Sequence, residues 1–447
     1  MQTTRRAFLK QVTAATAVLG FPAIVRSSSP NNQLNIAGIG VGGKGAGDIA
    51  ETSAGQNVVA ICDVDANTLG SAAQKYTGAK KYDDWRKLLE QKDIDAVTVS
   101  TPDHMHAPIA MSAMQLGKHV YVQKPMAHTV YEARQMAKAA RDYKVVSQMG
   151  NQGHSGTGYR TLVKAVQSGV IGRIKEAHTW SNRPIWPQGI DRPSGSDPVP
   201  AHLNWEGWLG VAPYRPYVGN REEADAKAKG RRAGGGVYHP FKWRGWLDFG
   251  VGALGDMGCH IIDPVVWSLD LDAPTAVWSD GPAPNGETYP SWEIIHYQFP
   301  KTKYTAGPVQ MTWYDGGKLP ARELVPLPAD EKTPTNGCLL IGENGVILCE
   351  HGKSPRVLPD NRPLEEVPGD NHYQQWTKAC KGEGKATSHF DYAGPLTETV
   401  LLGTIAIRFP GVKLQWNSKV LTVTNVVEAN RFVHHPYRQG WHIEGLS

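Results

Sequence analysis

Residues 34–50, LNIAGIGVGGKGAGDIA, set the architecture of the first half of the chain. They begin with a short apolar run that predicts a buried parallel strand, and the small residues after the glycines can open a helix. Gly38, Gly40 and Gly43 follow the strand in the spacing of a dinucleotide-binding turn. We expect the first glycine to permit the tight turn, the second to let a pyrophosphate approach the backbone, and the third to let helix and strand pack closely.

A second apolar run at residues 58–62 ends at Asp63, which lies 20 residues after Gly43. In dinucleotide-binding folds, an acidic side chain at this distance accepts hydrogen bonds from the adenosine ribose. A carboxylate at the same place repels the 2′-phosphate of NADP. The sequence therefore favours NAD over NADP as the cofactor.

Apolar runs and helical patterns alternate as far as residue 150, which predicts a doubly wound parallel sheet. Ligands of such sheets bind at the carboxyl ends of the strands. The run at 95–100 leads into a polar loop, and the run at 119–122 leads into a Gln-Lys-Pro sequence. These residues are therefore predicted to lie beside the cofactor: Thr101, Pro102, His104, His106 and Lys124.

Four motifs follow one another along the chain: the glycine turn, a Thr-Pro-x-His-x-His loop at 101–106, Lys124-Pro125, and GDMGCHIID at 255–263. Together they resemble the glucose–fructose oxidoreductase/inositol dehydrogenase (Gfo/Idh/MocA) family. The resemblance runs from about residue 34 to the end of the chain. One position departs from the family pattern, because Gln123 stands where the family usually has a glutamate before the lysine.

The resemblance implies an α/β protein of two domains. A Rossmann domain with a doubly wound parallel sheet is expected over 31–153. A substrate-binding and oligomerisation domain with a large open, mostly antiparallel sheet is expected over 154–447. The resemblance further implies a homodimer or homotetramer formed through that sheet, with a C-terminal helix that can pack back on the Rossmann domain.

Asp256 and His260 are four residues apart, so on a helix their Cβ atoms share one face, about 6 Å apart. A carboxylate there can fix the tautomer of the imidazole and leave its other nitrogen to take a proton. On spacing alone, a structural Asp–His pair is the simpler interpretation. The resemblance implies instead that both residues are catalytic. Lys124 would complement them, since an ammonium beside the reacting oxygen stabilises a developing alkoxide.

Further polar and aromatic residues are candidates for contacts with a sugar. Residues 181–240 are rich in Pro, Gly and Trp and are expected to form a long structured excursion near the site, with a short helix at 221–229. Asp263 is expected either to cap a helix or to touch the substrate. No catalytic metal is predicted, because His104 and His106 have no clustered third ligand. The candidate substrate contacts are His178, Trp180, Arg183, Trp243, Arg244 and Asp263.

The 447 residues carry a mild net charge of +5 without a basic tract, which argues against a nucleic-acid partner. Arg5 and Arg6 precede a modest apolar stretch at 12–21, and residues 1–30 resemble a twin-arginine export signal. We therefore expect a periplasmic or otherwise exported protein that does not stay inserted in the membrane after processing. The five cysteines show no zinc or disulfide spacing.

Three functions are consistent with these sequence features. The first is NAD-dependent oxidation of a hydroxyl group on a sugar, cyclitol or glycoside. The second is redox-neutral hydrolysis, lysis or epimerisation of a glycoside, in which tightly bound NAD oxidises the sugar transiently; export favours it, because the periplasm has no soluble nicotinamide pool. The third is a non-catalytic binding protein, and the intact lysine, aspartate and histidine set argues against it.

Overall fold

The computed structural model describes residues 33–219 and 236–447. The predicted export signal and the predicted helix at 221–229 lie outside these residues. The described chain forms two sheets, one of six strands and one of ten. None of its helices is both long enough and apolar enough to cross a bilayer.

The first sheet confirms the predicted doubly wound arrangement. Its strands are all parallel and run in the order β3-β2-β1-β4-β5-β6. The central strands β1 and β4 are buried almost throughout, which explains their continuous apolar sequence. The strands are β1 (Asn35–Ile39), β2 (Asn57–Cys62), β3 (Lys80–Tyr82), β4 (Ala96–Val99), β5 (His119–Val122) and β6 (Ser147–Met149).

The helices of this half begin where side chains satisfy their first backbone N–H groups. Asp65 accepts hydrogen bonds from the backbone at the start of the second helix, and Thr129 and Glu132 form a capping box on the fifth. The helices are α1 (Lys44–Thr52), α2 (Ala66–Lys75), α3 (Trp85–Leu89), α4 (His106–Gln115) and α5 (Val130–Asp142).

The second sheet is mostly antiparallel, as the resemblance implied. Its order is β14-β13-β12-β11-β7-β10-β9-β8-β15-β16, and β7 and β10 form its parallel pair. Its strands are β7 (Ile174–Trp180), β8 (Ala276–Asp280), β9 (Ile294–Phe299), β10 (Thr305–Tyr314), β11 (Gly337–Gly342), β12 (Val346–Glu350), β13 (Arg356–Leu358), β14 (Arg362–Pro363), β15 (Leu414–Asn417) and β16 (Thr422–Val423).

Six more helices are described, and the last two contact the first half of the chain. The Nε2 atom of Gln374 donates to the carbonyl of Glu51 on α1, and Arg134 on α5 forms an ion pair with Glu398. The helices are α6 (Thr157–Gln167), α7 (Trp205–Leu209), α8 (Gly252–Ile261), α9 (Asp263–Leu269), α10 (His372–Cys380) and α11 (Phe390–Ala406).

Both faces of the ten-stranded sheet are covered over part of its area. Ala177 of β7 and Trp313 of β10 point into the main core, which also contains residues of α8 and α11. Trp180 points to the opposite face, where it packs with Leu339 and Val325 in a separate cluster. Since successive strand residues alternate between faces, the side chains of β7 divide between these two environments.

Candidate active site

Lys124 lies two residues beyond the end of β5 and meets α8 of the other half of the chain. Its Nζ atom donates to the backbone carbonyl of Asp256 at 2.5 Å and to the Oδ1 atom of the same residue at 2.9 Å. The lysine side chain retains 15% exposure. The carboxyl edge of the parallel sheet and the start of α8 therefore form one site.

Asp256 is surrounded by three cations. Besides Lys124, Arg183 places its Nε atom 3.1 Å from Oδ2, and Arg244 places its Nε atom 3.3 Å from Oδ1. Burial opposes the charged form, but the attraction of Lys124, Arg244 and Arg183 is larger, so the pKa of Asp256 lies well below its usual range. Asp256 is a carboxylate at every pH at which the protein is expected to work.

His260 shares α8 with Asp256, as the spacing predicts, but the expected hydrogen bond between them is absent. The Asp256 carboxylate bonds to the three cations instead, and the Nδ1 atom of His260 is buried with no partner among the described residues. Burial, reinforced by the positive charge of Lys124, lowers the pKa of His260 well below its usual value. The imidazole is therefore neutral, which is the form that can accept a proton.

Asp103 also belongs to this site, although sequence reasoning passed over it. It lies in the Thr-Pro loop, is 5% exposed, and accepts a hydrogen bond at 3.0 Å from the backbone N–H of Val251, the residue before α8. Burial raises its pKa to about 7, against the opposing pull of Lys124 and Arg244. The signal in the sequence was an acid at the carboxyl end of β4.

The glycine turn has the predicted location but a different register. Gly40 has φ +76°, and a Cβ there would lie 2.6 Å from the Ser100 carbonyl oxygen. A Cβ on Gly45 would lie 1.9 Å from the Gly40 carbonyl oxygen, so Gly45 provides the close packing of helix on strand.

The assignment of that role to Gly43 was wrong, since its Cβ would meet nothing within 4 Å. Gly38 lies inside β1, so it makes no turn. The geometry therefore fits the overlapping motif of Gly40, Gly42 and Gly45.

The residues around the turn fit a dinucleotide. No described side chain caps the N-terminus of α1 (Lys44–Thr52), where a phosphate can bind, and the backbone N–H of Gly45 donates to the Gly42 carbonyl. Gly43, at φ +50°, leaves open space beside this N-terminus. The Oγ1 atom of Thr101 is buried without a partner among the described residues. Asp63 accepts hydrogen bonds from the backbone of Val41 and Asp65, which holds the turn against the end of β2; its ribose contact stays a prediction.

His104 and His106 are not placed to contact a cofactor, which corrects their assignment. His106 lies between the carbonyls of Pro125 at 2.7 Å and Thr101 at 2.8 Å. His104 lies between the carbonyls of Phe249 and Trp208, at 3.2 Å each. Both rings are buried, and each links two backbone segments by hydrogen bonds close to Lys124 or to the start of α8. Pro102 precedes the short helical turn Asp103–Met105, and its cofactor contact stays a prediction.

Gln123 has a specific partner. Its Nε2 atom donates at 2.8 Å to Oδ2 of Asp48, a fully buried carboxylate on α1. Ser100 donates to the same oxygen, and Tyr373 of α10 donates to the other. A glutamate at position 123 would place a second carboxylate against Asp48. The amide at 123 and the acid at 48 are therefore complementary.

Two of the predicted substrate contacts, Arg183 and Arg244, reach the site. Trp243 does not reach it directly: it is 7% exposed, its indole N–H donates to the Pro240 carbonyl, and the Arg244 guanidinium covers its ring at 4.3 Å. The prediction that Trp243 contacts a sugar is therefore wrong, and its ring instead supports the Arg244 side chain. Many of the chain's tryptophans serve packing in the same way, as in the buried cluster with Trp205, Trp208 and Trp246.

Three other candidates lie elsewhere. His178 bonds to Tyr314 and, like Trp180, points to the sheet face opposite the main core that contains α8 residues, so neither contacts the site. Asp263 is fully buried, with its carboxylate bonded to the Nδ1 atom of His154 and to Tyr392, so it does not face a substrate. In the described parts of the chain, no group of three or more His, Cys, Asp and Glu side chains is arranged to hold a metal ion.

Two consecutive stretches of the chain match models of one known protein family. Residues 34–151 match the oxidoreductase family's NAD-binding Rossmann fold, and residues 155–304 match the C-terminal alpha/beta domain of the same family. The chain belongs to the Gfo/Idh/MocA oxidoreductase family. The fold that the resemblance implied and the NAD-binding character of the first half are thereby confirmed.

Individual relatives of the family cover only parts of the chain. Inositol 2-dehydrogenase of Salmonella typhimurium is 32% identical over 149 residues, which are 33% of this chain and 44% of the relative. A glycosyl hydrolase family 109 protein of Saccharopolyspora erythraea is 31% identical over 201 residues, which are 38% of this chain and 44% of the relative. The chain thus matches less than half the length of either relative.

A solved structure shows the same fold. The WlbA dehydrogenase of Bordetella pertussis, in complex with NADH and UDP-GlcNAcA, superposes with a TM-score of 0.59. The superposition covers 86% of this chain and 99% of that one at 16% sequence identity. At this identity, the likeness establishes the architecture.

Proposed function

We propose that this protein is an NAD-dependent oxidoreductase that acts on a hydroxyl group of a sugar, cyclitol or glycoside. The observation that carries the proposal is the convergence of Lys124, Asp256 and a neutral His260 at the carboxyl edge of the parallel sheet. The names of the curated relatives support the substrate class.

The first half of the chain supplies the means to hold NAD. The uncapped start of α1 would receive the pyrophosphate, and Asp63 would bind the adenosine ribose. Thr101, whose hydroxyl has no partner among the described residues, follows the end of β4 at the same edge of the sheet. Bound there, NAD supplies a hydride acceptor. Asp63 disfavours the 2′-phosphate of NADP by charge repulsion.

The proton of the substrate hydroxyl is handled by the protein. His260 takes it on a ring nitrogen, because its imidazole is neutral in the site. The Lys124 ammonium stabilises the negative charge that develops on the oxygen. Asp256 does not act on His260; it fixes the Lys124 ammonium through two hydrogen bonds and holds the two arginines at the site.

The proposal is tested by adding NAD and a panel of sugars, cyclitols and glycosides to the purified protein, and by following reduced nicotinamide. Reduction that depends on both the sugar and Lys124 supports the proposal. The protein must first be shown to bind NAD. If no compound of the panel then yields reduced nicotinamide or is altered, the proposal is contradicted.

A second candidate function is favoured by the glycosyl hydrolase family 109 relatives. In this function NAD stays bound and is regenerated within each cycle, so that a glycoside is cleaved without net oxidation. Denaturing the purified protein and analysing the released nucleotide tests the retention. Release of aglycone without accumulation of NADH distinguishes this function from net oxidation.

We further propose that the protein is exported through the twin-arginine pathway with its cofactor already bound. The sequence Arg5-Arg6 before an apolar stretch supports this. Replacing both arginines by lysine is expected to leave the protein in the cytoplasm, as measured by fractionation. Unchanged export of this variant contradicts the proposal.

A further inference from the structure

Arg183 and Arg244 place two guanidinium groups at the site from separate parts of the second half. Arg183 follows the end of β7, and Arg244 lies in the helical turn Lys242–Gly245. Both donate through Nε to the Asp256 carboxylate, and their side chains retain 24% and 21% exposure. They are held at the site and remain open to a ligand.

The charges at the site do not balance. Lys124, Arg183 and Arg244 contribute three positive charges, and Asp256 contributes one negative charge, which leaves a surplus of two. His260 adds no charge, since burial holds its pKa low. Asp103, with a pKa of about 7, offsets at most one unit. Because partly buried charge without a counterion is unfavourable, this arrangement favours an anionic ligand.

Each guanidinium also keeps part of its hydrogen-bonding capacity. Arg183 donates through Nη1 to the side chain of Asn182 at 2.7 Å, and Arg244 donates through Nη1 to the carbonyl of Phe241 at 3.1 Å. Within residues 33–219 and 236–447, neither Nη2 group has a hydrogen-bond partner. The fork of an arginine matches a carboxylate or a phosphate in geometry as well as charge.

Arg244 is fixed in place by aromatic rings. Its guanidinium carbon lies 4.3 Å from the ring centre of Trp243 and 4.6 Å from that of Phe241. Such stacking restricts the side chain without using its hydrogen-bond donors. The donors of Arg244 are therefore preorganised toward the site, which lowers the entropic cost of binding an anion.

We propose that the substrate is a carbohydrate with an anionic group, a carboxylate or a phosphate ester, which Arg183 and Arg244 bind while a substrate hydroxyl faces Lys124 and His260. This inference rests on the proposed function, since it names the substrate class of the same site. It predicts that the protein binds an acidic sugar more tightly than the neutral sugar of the same configuration.

Matched ligands test the inference in the protein loaded with NADH. D-Glucose, D-glucuronate and the primary-hydroxyl phosphate ester of D-glucose form one series, and the corresponding galactose compounds form a second. Binding is measured by calorimetry at low and at high ionic strength. We expect at least one anionic sugar to bind roughly tenfold or more tightly than its neutral counterpart, with the preference reduced by salt. The two anionic members of each series distinguish carboxylate from phosphate.

Variants assign the preference to the arginines. Arg183→Gln and Arg244→Gln are each expected to remove most of the preference, whereas Arg183→Lys keeps the charge, loses the fork and is expected to retain part of it. Arg173→Gln is the matched control, because Arg173 is an exposed arginine paired with Glu343. Thermal unfolding of each variant shows whether it is folded, and the salt dependence of the wild type tests the inference without any variant.

Equal affinity of the wild-type protein for neutral and anionic sugars in both series overturns the inference. Turnover of neutral sugars alone would overturn it and leave the proposed function intact. Tight binding of an anionic sugar without any hydride transfer or carbohydrate chemistry would overturn the proposed function and leave the anion site intact. A preference unchanged in both glutamine variants shows that other residues bind the anion and likewise overturns the inference.

Discussion

Asp256 and Asp263 lie on consecutive helices, seven residues apart, and both carboxylates are enclosed by hydrogen bonds. The partners of Asp256 are three cations, and its side chain keeps 11% exposure. The partners of Asp263 are His154 and Tyr392, and its side chain is fully buried. The first arrangement can respond to a ligand, whereas the second has no access to one. The two aspartates therefore differ in their hydrogen-bond partners and in their solvent exposure, and not in residue type.

We call Lys124, Arg183, Arg244, Asp256 and His260 the site cluster, and His154, Asp263 and Tyr392 the scaffold cluster. If the comparison holds, changes in the site cluster reduce activity at nearly constant stability. Changes in the scaffold cluster reduce stability at nearly constant activity per folded molecule. Substitutions in the two clusters, at Asp103 and in the glycine turn test this separation.

His260→Ala is expected to lower turnover by about 10²–10⁴-fold, because the group that accepts the substrate proton is lost. The melting temperature should change little, since the Nδ1 atom of His260 has no partner in the described structure to lose. In the wild-type enzyme, the acid limb of kcat/KM should lie below the ordinary histidine pKa of about 6.5, because the pKa of His260 is lowered.

The matched control is His178→Ala, which removes a buried histidine on the other face of the large sheet. Steady-state kinetics of this variant should match the wild type per folded molecule. Equal losses of turnover in both variants would show that the loss at His260 reflects packing.

Asp103→Asn tests a residue that joins the site to the start of α8. In the unfolded chain its carboxyl loses a proton near pH 3.9, and in the folded protein it does so at about 7. Between these values the unfolded state binds fewer protons, so this residue makes stability fall as pH rises, by at most about 1.4 kcal/mol per pH unit. The asparagine variant should lack this contribution. Urea unfolding at pH 5 to 8 measures it, and identical pH dependence in both proteins contradicts the assignment.

Gly45→Ala and Gly43→Ala extend the comparison to the glycine turn. Gly45→Ala should destabilise the protein strongly, because the added Cβ would overlap the Gly40 carbonyl oxygen. Gly43→Ala should cost about 1–3 kcal/mol, from backbone strain at positive φ, and should weaken NAD binding because the methyl group enters the space left for the phosphates. Thermal unfolding and NAD titration measure both effects. If Gly43→Ala destabilised the protein more than Gly45→Ala, the dinucleotide-binding motif would instead be Gly38, Gly40 and Gly43.

Asp263→Asn is expected to destabilise the protein by about 1–3 kcal/mol, because the bonds of a buried carboxylate to His154 and Tyr392 are weakened. Turnover per folded molecule should remain close to that of the wild type. Urea unfolding together with active-site titration separates the two quantities. A variant of unchanged stability with greatly reduced turnover would move Asp263 into the site cluster.

The sheet of the first half was predictable because its central strands are buried on both faces and carry continuous apolar runs. The register of the glycine turn was not, because two overlapping motifs, at 38–43 and 40–45, have the same spacing. The choice between them depends on where β1 ends, and that is set by its pairing with β2 and β4. Burial and pairing are tertiary properties that the pattern does not contain.

For the site, the sequence placed Asp256 and His260 on one helix, and the structure agrees. The spacing suggested that they pair with each other, because it could not show which cations bind Asp256. Two of these cations, Arg183 and Lys124, lie 73 and 132 residues away in the chain. His178 and Trp180 were misplaced for another reason. Both faces of β7 are buried, so the composition of the strand does not tell which face points toward the site.

In the proposed function, Lys124 and a neutral His260 support hydride transfer between a carbohydrate and bound NAD. Rapid mixing of the NAD-loaded protein with the carbohydrate panel tests it most directly, with the absorbance of reduced nicotinamide as the readout. Net oxidation and transient oxidation both predict a burst of reduced nicotinamide in the wild-type protein, slowed by about 10²-fold or more in His260→Ala. Carbohydrate turnover without any reduced nicotinamide, or an undiminished burst in His260→Ala, would contradict the claim.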